Sequence, residues 1–271
     1  MIATTQLNGI TVGYDDAGSG LPVLFLHGFP HDRALWAQQR TALAPRVRCI
    51  APDLRGFGAT SANGPYSMDQ YADDAVALLD ALDFESAAVC GLSMGGYIAL
   101  ALWRRHPERV RGLVLCDTKG SADSAEGRTG RDALIALAES QGAEAVADKL
   151  LAGMISNRTR ERQPGLEAEV RAMMARQPVE GLVGALSAMR DRSDALATLR
   201  SITVPTLVLV GDDDLLTPPS DARIMLDALP TQAEGSLVLV EGSGHLTSLE
   251  RPATVTHALA DFLAMLAARA V

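Results

Sequence analysis

The stretch Gly91-Leu92-Ser93-Met94-Gly95-Gly96 lies between two apolar runs and is the strongest single indication of the fold. The run before it, Ala87–Cys90, predicts a buried strand, and the run after it, Tyr97–Trp103, predicts a buried helix. A Gly-x-Ser-x-Gly turn between a strand and a helix is typical of a nucleophile elbow, where small residues let the two elements approach closely. The turn also places Ser93 at the helix N-terminus, where backbone N–H groups stabilise developing negative charge.

A nucleophilic serine needs a base, and the base needs a group that orients it. His245 follows the apolar run Leu237–Val240 on a glycine-rich loop, so its imidazole can reach the turn around Ser93. Another apolar strand, Thr206–Val210, ends in a segment with three adjacent aspartates. These carboxylates are candidates for the orienting group, and the chain order is then serine, acid, histidine.

The alternatives to this interpretation are ordinary structural roles. Ser93 could be a helix N-cap, and His245 could be a solvated loop histidine. The other histidines are weaker candidates for the base, because two lie near predicted helix ends and one lies within the last predicted helix: His31, His106 and His257.

Two further motifs follow predicted strands. His27-Gly28-Phe29-Pro30 comes directly after the apolar run Val23–Leu26. Pro52-Asp53-Leu54-Arg55-Gly56-Phe57-Gly58 follows the strand-like run Val47–Ala51. Because ligands bind outside the carboxyl ends of parallel strands, all these motifs are expected on one face of the sheet.

Together these motifs resemble the α/β-hydrolase superfamily, and the resemblance covers nearly all of the chain. Within the superfamily the chain is similar to the small bacterial esterases and lactonases typified by 3-oxoadipate enol-lactonase. The resemblance makes His27-Gly28 an oxyanion-loop motif, in which His27 braces backbone. It also makes residues 53–58 the Asp-x-Arg-Gly-x-Gly turn, whose Asp53 and Arg55 are expected to brace the loop as a charged pair.

The same resemblance selects Asp214 as the acid, because the family pattern Gly-x-x-Asp followed by Thr-Pro aligns there. Asp212 and Asp213 are the neighbouring alternatives and are otherwise expected to be solvated loop charges. Asp117, at the end of the preceding predicted strand, is a further candidate, since some hydrolases carry the acid at that place.

The oxyanion donors are expected to be the backbone N–H groups of Phe29 and Met94, the residue after the nucleophile and one from the loop after the third strand. Each donor of this kind contributes about 2.7–4 kcal/mol of transition-state stabilisation. Gly28, Phe29 and Met94 are the predicted substrate-binding residues. Neither a metal ion nor a cofactor is expected.

The order of predicted elements indicates an α/β fold. Asn8-Gly9 predicts a hairpin near the start, and the strands and helices that follow alternate, which indicates a mostly parallel sheet. From about Lys119 to Arg200 the pattern is helical only and resembles the superfamily's cap. We therefore predict an α/β-hydrolase fold with a mostly parallel eight-stranded sheet and flanking helices. Residues 1–118 and 201–271 form its core, and residues 119–200 form a helical cap inserted after the sixth strand.

Composition narrows the partners and the compartment. The net charge of −9 argues against nucleic acid and anionic membranes as partners. Three cysteines on predicted strands indicate reduced core thiols rather than a disulfide framework. No secretory signal is visible, and no apolar run approaches the roughly 20 residues of a membrane helix. A cytoplasmic protein with a small-molecule substrate is expected, and the sequence leaves its oligomeric state open.

The expected activity is cofactor-independent hydrolysis of a small carboxylic ester or lactone through an acyl-enzyme. Serine at position 93, where aspartate would be needed, disfavours the dehalogenase and epoxide hydrolase branches. Carbon–carbon hydrolysis of a diketone and cofactor-free, haloperoxidase-like perhydrolysis would use the same triad. A receptor that binds its ligand without turnover is an alternative from another class.

Overall fold

The computed structural model describes residues 2–269, and its centre is an eight-stranded sheet. The strand order is β1-β2-β4-β3-β5-β6-β7-β8. The pairs β1–β2 and β2–β4 are antiparallel, and all the other neighbours are parallel, which confirms the predicted mostly parallel sheet. The strands span β1 Ala3–Leu7, β2 Ile10–Ala17, β3 Pro22–Leu26, β4 Arg48–Pro52, β5 Ala87–Leu92, β6 Val110–Cys116, β7 Thr206–Gly211 and β8 Ser236–Val240.

Helices flank the sheet and fill the connection between β6 and β7. Six α-helices lie outside that connection: α1 Ala37–Leu43, α2 Met68–Ala81, α3 Met94–Arg105, α9 Pro219–Ala228, α10 Thr247–Glu250 and α11 Pro252–Ala268. Between β6 and β7 the described chain forms α4 Ala125–Met154, α5 Asn157–Arg162, α6 Pro164–Ala175, α7 Val179–Arg190 and α8 Leu196–Leu199. A helical insertion after the sixth strand is therefore confirmed, whereas the division into two domains at 119 and 200 remains a prediction.

The turns and helix ends follow local sequence chemistry. Asn8 and Gly9 both have positive φ, 48° and 75°, as a two-residue hairpin turn of type I′ requires. The segment after Asp32 begins as a 3₁₀ turn, Arg33–Trp36, and Asp32 caps it by accepting the Ala34 N–H. The long helix α4 is kinked at Gly142, where φ is 81°.

Two apolar clusters lie on opposite faces of the sheet. Alternate strand residues feed them: Leu24 and Val89 belong to one cluster, and Phe25 and Cys90 belong to the other. Helices α2 and α3 cover the first face, and α1 and α11 cover the second. The insertion contributes buried residues to both clusters, so its apolar faces pack onto the sheet assembly as well as onto one another. These inserted residues include Leu182 and Leu186 in the first cluster and Val170 and Met174 in the second.

The three cysteines, Cys49, Cys90 and Cys116, are unpaired and buried in β4, β5 and β6, as their odd count suggested. Within residues 2–269, no helix combines the length and the apolar character that crossing a membrane would need.

Candidate active site

Ser93 occupies a sharp turn between β5 and α3. Its φ of 53° and ψ of −112° lie where non-glycine residues are rarely found. The turn is held by two hydrogen bonds: the Ser93 N–H donates to the Cys116 carbonyl at 2.9 Å, and the Thr118 hydroxyl donates to the Ser93 carbonyl at 2.8 Å. A β-carbon on Gly91 would collide with the Gly95 carbonyl, and one on Gly95 would collide with the Leu26 carbonyl on β3. Both glycines are therefore required by close backbone approach.

A continuous chain of hydrogen bonds joins the three residues predicted as nucleophile, base and acid. Ser93 Oγ lies 2.9 Å from His245 Nε2, and His245 Nδ1 lies 2.9 Å from Asp214 Oδ2. His245 and Asp214 are each 2% exposed, while Ser93 is half-buried. The structure thus brings the three side chains together from the ends of β5, β7 and β8 in the geometry that proton transfer from Ser93 needs.

The surroundings of Asp214 keep its carboxylate charged. Oδ1 accepts the Leu216 and Thr217 N–H groups at 2.8 and 3.0 Å, and Oδ2 accepts the Thr217 hydroxyl at 2.7 Å. Burial raises the pKa of Asp214, but the nearby His245 and these hydrogen bonds outweigh it, so the pKa is lowered. Burial lowers the pKa of His245, but the Asp214 carboxylate outweighs that effect and the pKa is raised. The Asp214 carboxylate therefore favours the protonated form of the His245 imidazole.

The two neighbouring aspartates do not contact His245. Asp212 Oδ1 accepts the N–H groups of Gly242 and Ser243, at 2.6 and 3.2 Å, and so braces the loop that carries the histidine. The expectation that Asp212 is a solvated loop charge is therefore wrong. Asp213 is exposed and lies 3.6 Å from the Arg158 guanidinium.

Asp117 makes no hydrogen bond to the imidazole ring of His245. Its Oδ1 accepts the Gly211 N–H at 3.1 Å, and its Oδ2 accepts the Thr247 N–H and hydroxyl at 3.1 and 2.6 Å. Burial and the neighbouring Asp214 carboxylate raise the pKa of Asp117 well above its usual range. Asp117 ties the ends of β6 and β7 to the segment after His245, whereas Asp214 is the carboxylate that bonds the imidazole.

The predicted oxyanion donors flank Ser93. Met94 is the first residue of α3, so its N–H has no partner within the helix. Gly28 abuts Ser93, since a β-carbon there would lie 3.3 Å from Ser93 Cβ. Phe29 follows in the same turn, which is closed by a 3.0 Å hydrogen bond from the His31 N–H to the Gly28 carbonyl. The side chains of Phe29 and Met94 are buried in the same apolar cluster.

His27 braces backbone, as the sequence suggested. Its Nδ1 lies 2.9 Å from the Gly28 carbonyl and its Nε2 accepts the Leu54 N–H at 2.9 Å. Burial lowers the pKa of His27, so the ring is neutral and joins the oxyanion loop to the turn after β4.

The remaining histidines make no hydrogen bond to the Ser93 hydroxyl, whose histidine partner is His245. His31 is fully buried, and burial lowers its pKa to about 3, so it is neutral at physiological pH. His106 bonds Asp73 at 2.9 Å, and His257 is exposed in α11.

Asp53 and Arg55 do not form the expected pair. Asp53 bonds the guanidinium and the backbone N–H of Arg33, and also accepts the Ala59 N–H at 2.7 Å. Arg55 donates two 2.7 Å bonds to Asp74 on α2. Each residue braces its loop, but the partners come from segments that the motif does not contain.

Sequence reasoning missed two residues that support the histidine. The Thr217 hydroxyl donates a hydrogen bond to Asp214. Thr217 is the threonine of the Thr-Pro pair that follows Asp214 in the family pattern, so that pattern could have indicated this residue. Glu250 is 1% exposed, and its Oε1 accepts the Gly244 and Leu246 N–H groups that flank His245, at 2.8 and 3.2 Å. Its Oε2 accepts the Ser156 N–H of the insertion at 2.9 Å, a contact between distant segments that no local pattern announces.

The fold and this site define a class of protein, and comparison with known sequences gives the same class. Residues 22–252 match the family model described as alpha/beta hydrolase fold. The chain belongs to the α/β-hydrolase family.

Individual relatives resemble nearly the whole chain. It is 33% identical over 274 residues to the 2-hydroxymuconate semialdehyde hydrolase of Pseudomonas sp. strain CF600, a match that covers 97% of this chain and 94% of that protein. A thermophilic esterase from Thermogutta terrifontis superimposes with a TM-score of 0.92 at 36% identity, covering 98% of this chain and 97% of the other. The enol-lactonase from Burkholderia xenovorans LB400 superimposes with a TM-score of 0.89 at 29% identity, covering 97% and 100%. Non-heme bromoperoxidases are also among the similar proteins. The predicted resemblance to enol-lactonases is therefore confirmed.

Proposed function

We propose that the protein is a serine hydrolase that cleaves a small carboxylic ester or lactone through an acyl-enzyme, with Ser93, His245 and Asp214 as its catalytic triad. In the first step Ser93 Oγ attacks the substrate carbonyl carbon, and its proton passes to His245 Nε2. Asp214 stabilises the imidazolium. The negative charge that develops on the carbonyl oxygen is held by the N–H groups of Phe29 and Met94.

The second half of the reaction reverses these roles. The imidazolium donates its proton to the leaving alkoxide, and the acyl group remains on Ser93. Water then gives a proton to His245 and attacks the acyl carbon, which releases the carboxylic acid and returns the proton to Ser93. In a lactone the leaving alkoxide and the acyl group belong to one molecule, so a single hydroxy acid is released.

The observation that carries this proposal is the pair of 2.9 Å contacts that links Ser93 Oγ, the imidazole of His245 and Asp214. The strained backbone of Ser93 supports it, because strain of that kind persists only where the surroundings impose it, and such sites are often functional. An esterase and an enol-lactonase are among the similar structures, which favours an ester or lactone substrate.

The test uses chromogenic short-chain esters and lactones graded by acyl length. We expect a burst of released chromophore followed by steady turnover, and covalent labelling by a fluorophosphonate. Ser93→Ala should abolish both signals while leaving the circular dichroism spectrum unchanged. Absence of any labelling in the wild-type protein would falsify the proposal.

Two other reactions are alternatives, because similar proteins are named for them. A semialdehyde hydrolase at 33% identity suggests carbon–carbon hydrolysis, and a bromoperoxidase at 32% identity suggests attack of hydrogen peroxide on the acyl-enzyme to give a peracid. A diketone substrate and an ester supplied with peroxide, assayed beside the ester panel, separate these activities by their kcat/KM values. A receptor that only binds its ligand would give no turnover in any arm.

A small-molecule substrate is the only partner that this proposal requires. We also propose a cytoplasmic location, which the three unpaired thiols support because free cysteines are typical of reducing compartments.

A further inference from the structure

Asp32 connects the oxyanion loop to the helical insertion. It follows the loop residues Gly28–His31 directly, and its side chain is almost entirely buried. Oδ1 accepts the Ala34 N–H at 3.0 Å and so starts the 3₁₀ turn. Oδ2 accepts N–H groups from the corner between α6 and α7: Arg176 Nε at 2.8 Å, Arg176 Nη2 at 2.6 Å and Gln177 Nε2 at 3.1 Å.

Gln177 bonds the other core loop at the same time. Its Oε1 accepts the Gly58 N–H at 2.9 Å, and its Nε2 also donates to the Met173 carbonyl of α6 at 2.7 Å. The amide is 3% exposed, and its oxygen and nitrogen are both bonded. The corner of the insertion is therefore bonded both to the oxyanion loop, through Asp32, and to the turn after β4, which His27 joins to that loop.

The charge of Asp32 depends on the insertion. Burial raises the pKa of Asp32, but the hydrogen bonds from Arg176 and Ala34 outweigh it and lower the pKa, so the carboxylate is ionised at neutral pH. If the insertion moved away, Oδ2 would lose its three donors and a negative charge would remain beside the core. Hydrogen bonds to an ionised group are about twice as strong as neutral ones, so the loss of these three bonds opposes that movement.

We propose that Asp32 is a positioning residue through which the insertion holds the oxyanion loop, and with it the Phe29 N–H, in its catalytic place. The seating of the insertion on Asp32 then completes the oxyanion hole. The catalytic part of this inference rests on the proposed hydrolase function.

The kinetic test compares the double variant Arg176→Met/Gln177→Leu with Arg171→Met. Arg171 is a matched control because it lies in α6, just before the corner, and also holds an aspartate by two bonds, at 2.6 and 3.0 Å, but its partner Asp148 lies within the insertion. We expect kcat of the double variant to fall about 10–100-fold, as for a misplaced catalytic group. KM should change less than about threefold, since the lost contacts act on the transition state. The control should keep its kcat.

A second measurement separates positioning from a change in substrate entry. A trifluoromethyl ketone forms a tetrahedral oxyanion adduct with Ser93, so its inhibition constant should rise by the factor by which kcat/KM falls. An increase in KM alone, with kcat and inhibitor affinity unchanged, would contradict the proposal and assign these contacts to substrate access.

Hydrogen exchange tests the same contacts without any activity. Amides of residues 27–34 and of Gly58 should exchange faster in the double variant than in the wild type. In Arg171→Met they should exchange at the wild-type rate. If the wild type hydrolyses no ester, the proposed function fails, whereas this exchange comparison still decides whether the insertion holds the loop. Should the double variant not fold, Arg176→Met alone serves, because this guanidinium is 54% exposed and its loss leaves Gln177 in place. Equal exchange in variant and control overturns the inference.

Discussion

Asp214 differs from the two neighbouring aspartates in what its side chain contacts. It bonds the imidazole of His245, whereas Asp213 is exposed near the Arg158 guanidinium, and Asp212 accepts two backbone N–H groups. Three identical side chains in a row thus have three different environments. The difference comes from the direction in which each one leaves the loop.

Asparagine at position 214 keeps the shape of aspartate but cannot stabilise the imidazolium. We expect Asp214→Asn to lower kcat about 10³–10⁴-fold, by analogy with triads in which this group has been replaced. Asp213→Asn should stay within about twofold of wild type, because its carboxylate is solvated. Steady-state kinetics with a chromogenic ester measure both. If Asp213→Asn is the inactive variant, the acid has been assigned to the wrong residue.

The pH dependence of the reaction follows from the same contact. Only neutral His245 accepts the Ser93 proton, so kcat/KM should rise with pH through the pKa of His245 and then level off. The Asp214 carboxylate raises that pKa above its ordinary value of about 6.5. Removing the charge in Asp214→Asn should therefore move this acidic limb to lower pH. An unchanged limb in that variant would mean that another group controls the profile.

Residues carried by a local motif could be predicted from sequence, and residues joined across the fold could not. Ser93 and His245 were found because each follows a strand and the strands end at one edge. The partners of Asp53 and Arg55 were mistaken, because Arg33 and Asp74 come from other segments. Likewise, nothing in the sequence around Asp32 or Gln177 indicates that these two side chains form a hydrogen bond.

At the scale of single elements, the turn between β5 and α3 depends on residues that have no side chain. The strand and helix approach so closely that Gly91 and Gly95 have no room for a β-carbon, although neither has positive φ. The apolar runs on both sides, together with the glycines between them, were sufficient to predict the strand, the turn and the helix. The segment from Lys119 to Arg200 could be predicted as helical, but the sequence did not show that Gly142 kinks one long helix without ending it.

This close approach predicts opposite effects for two glycine substitutions. Gly91→Ala should lower the free energy of unfolding by about 3 kcal/mol or more, since the added methyl collides with backbone that cannot move aside. Gly130→Ala should raise that free energy by about 0.5–1 kcal/mol, because Gly130 lies in α4 with open space around it. Urea unfolding measures both. A Gly91→Ala protein as stable as wild type would show that the strand and helix do not pack as described.

At the scale of the whole molecule, the insertion and the sheet share their apolar clusters. Leu182 and Leu186 lie in one cluster with strand residues, and Val170 and Met174 lie in the other. The order of strands and helices could be predicted from hydrophobic periodicity. The faces that the insertion buries could not, because the direction of a helical side chain depends on the packing of its neighbours.

We therefore expect the core and the insertion to unfold together. Scanning calorimetry should give one transition with equal calorimetric and van't Hoff enthalpies. Residues 119–200 produced alone should lack stable tertiary structure, since their apolar faces would lose the sheet. Two separate transitions, or a folded isolated segment, would instead show that the insertion is an independent domain.

The central claim is that Ser93 carries the acyl group during turnover, and rapid-quench mass spectrometry tests it most directly. The protein is mixed with excess short-chain ester, quenched during the burst and digested, and the peptides are sequenced. The account predicts that the acyl group is found on Ser93, and that Ser93→Ala carries none. Steady turnover with no acylated peptide, or with the acyl group on another residue, would contradict it.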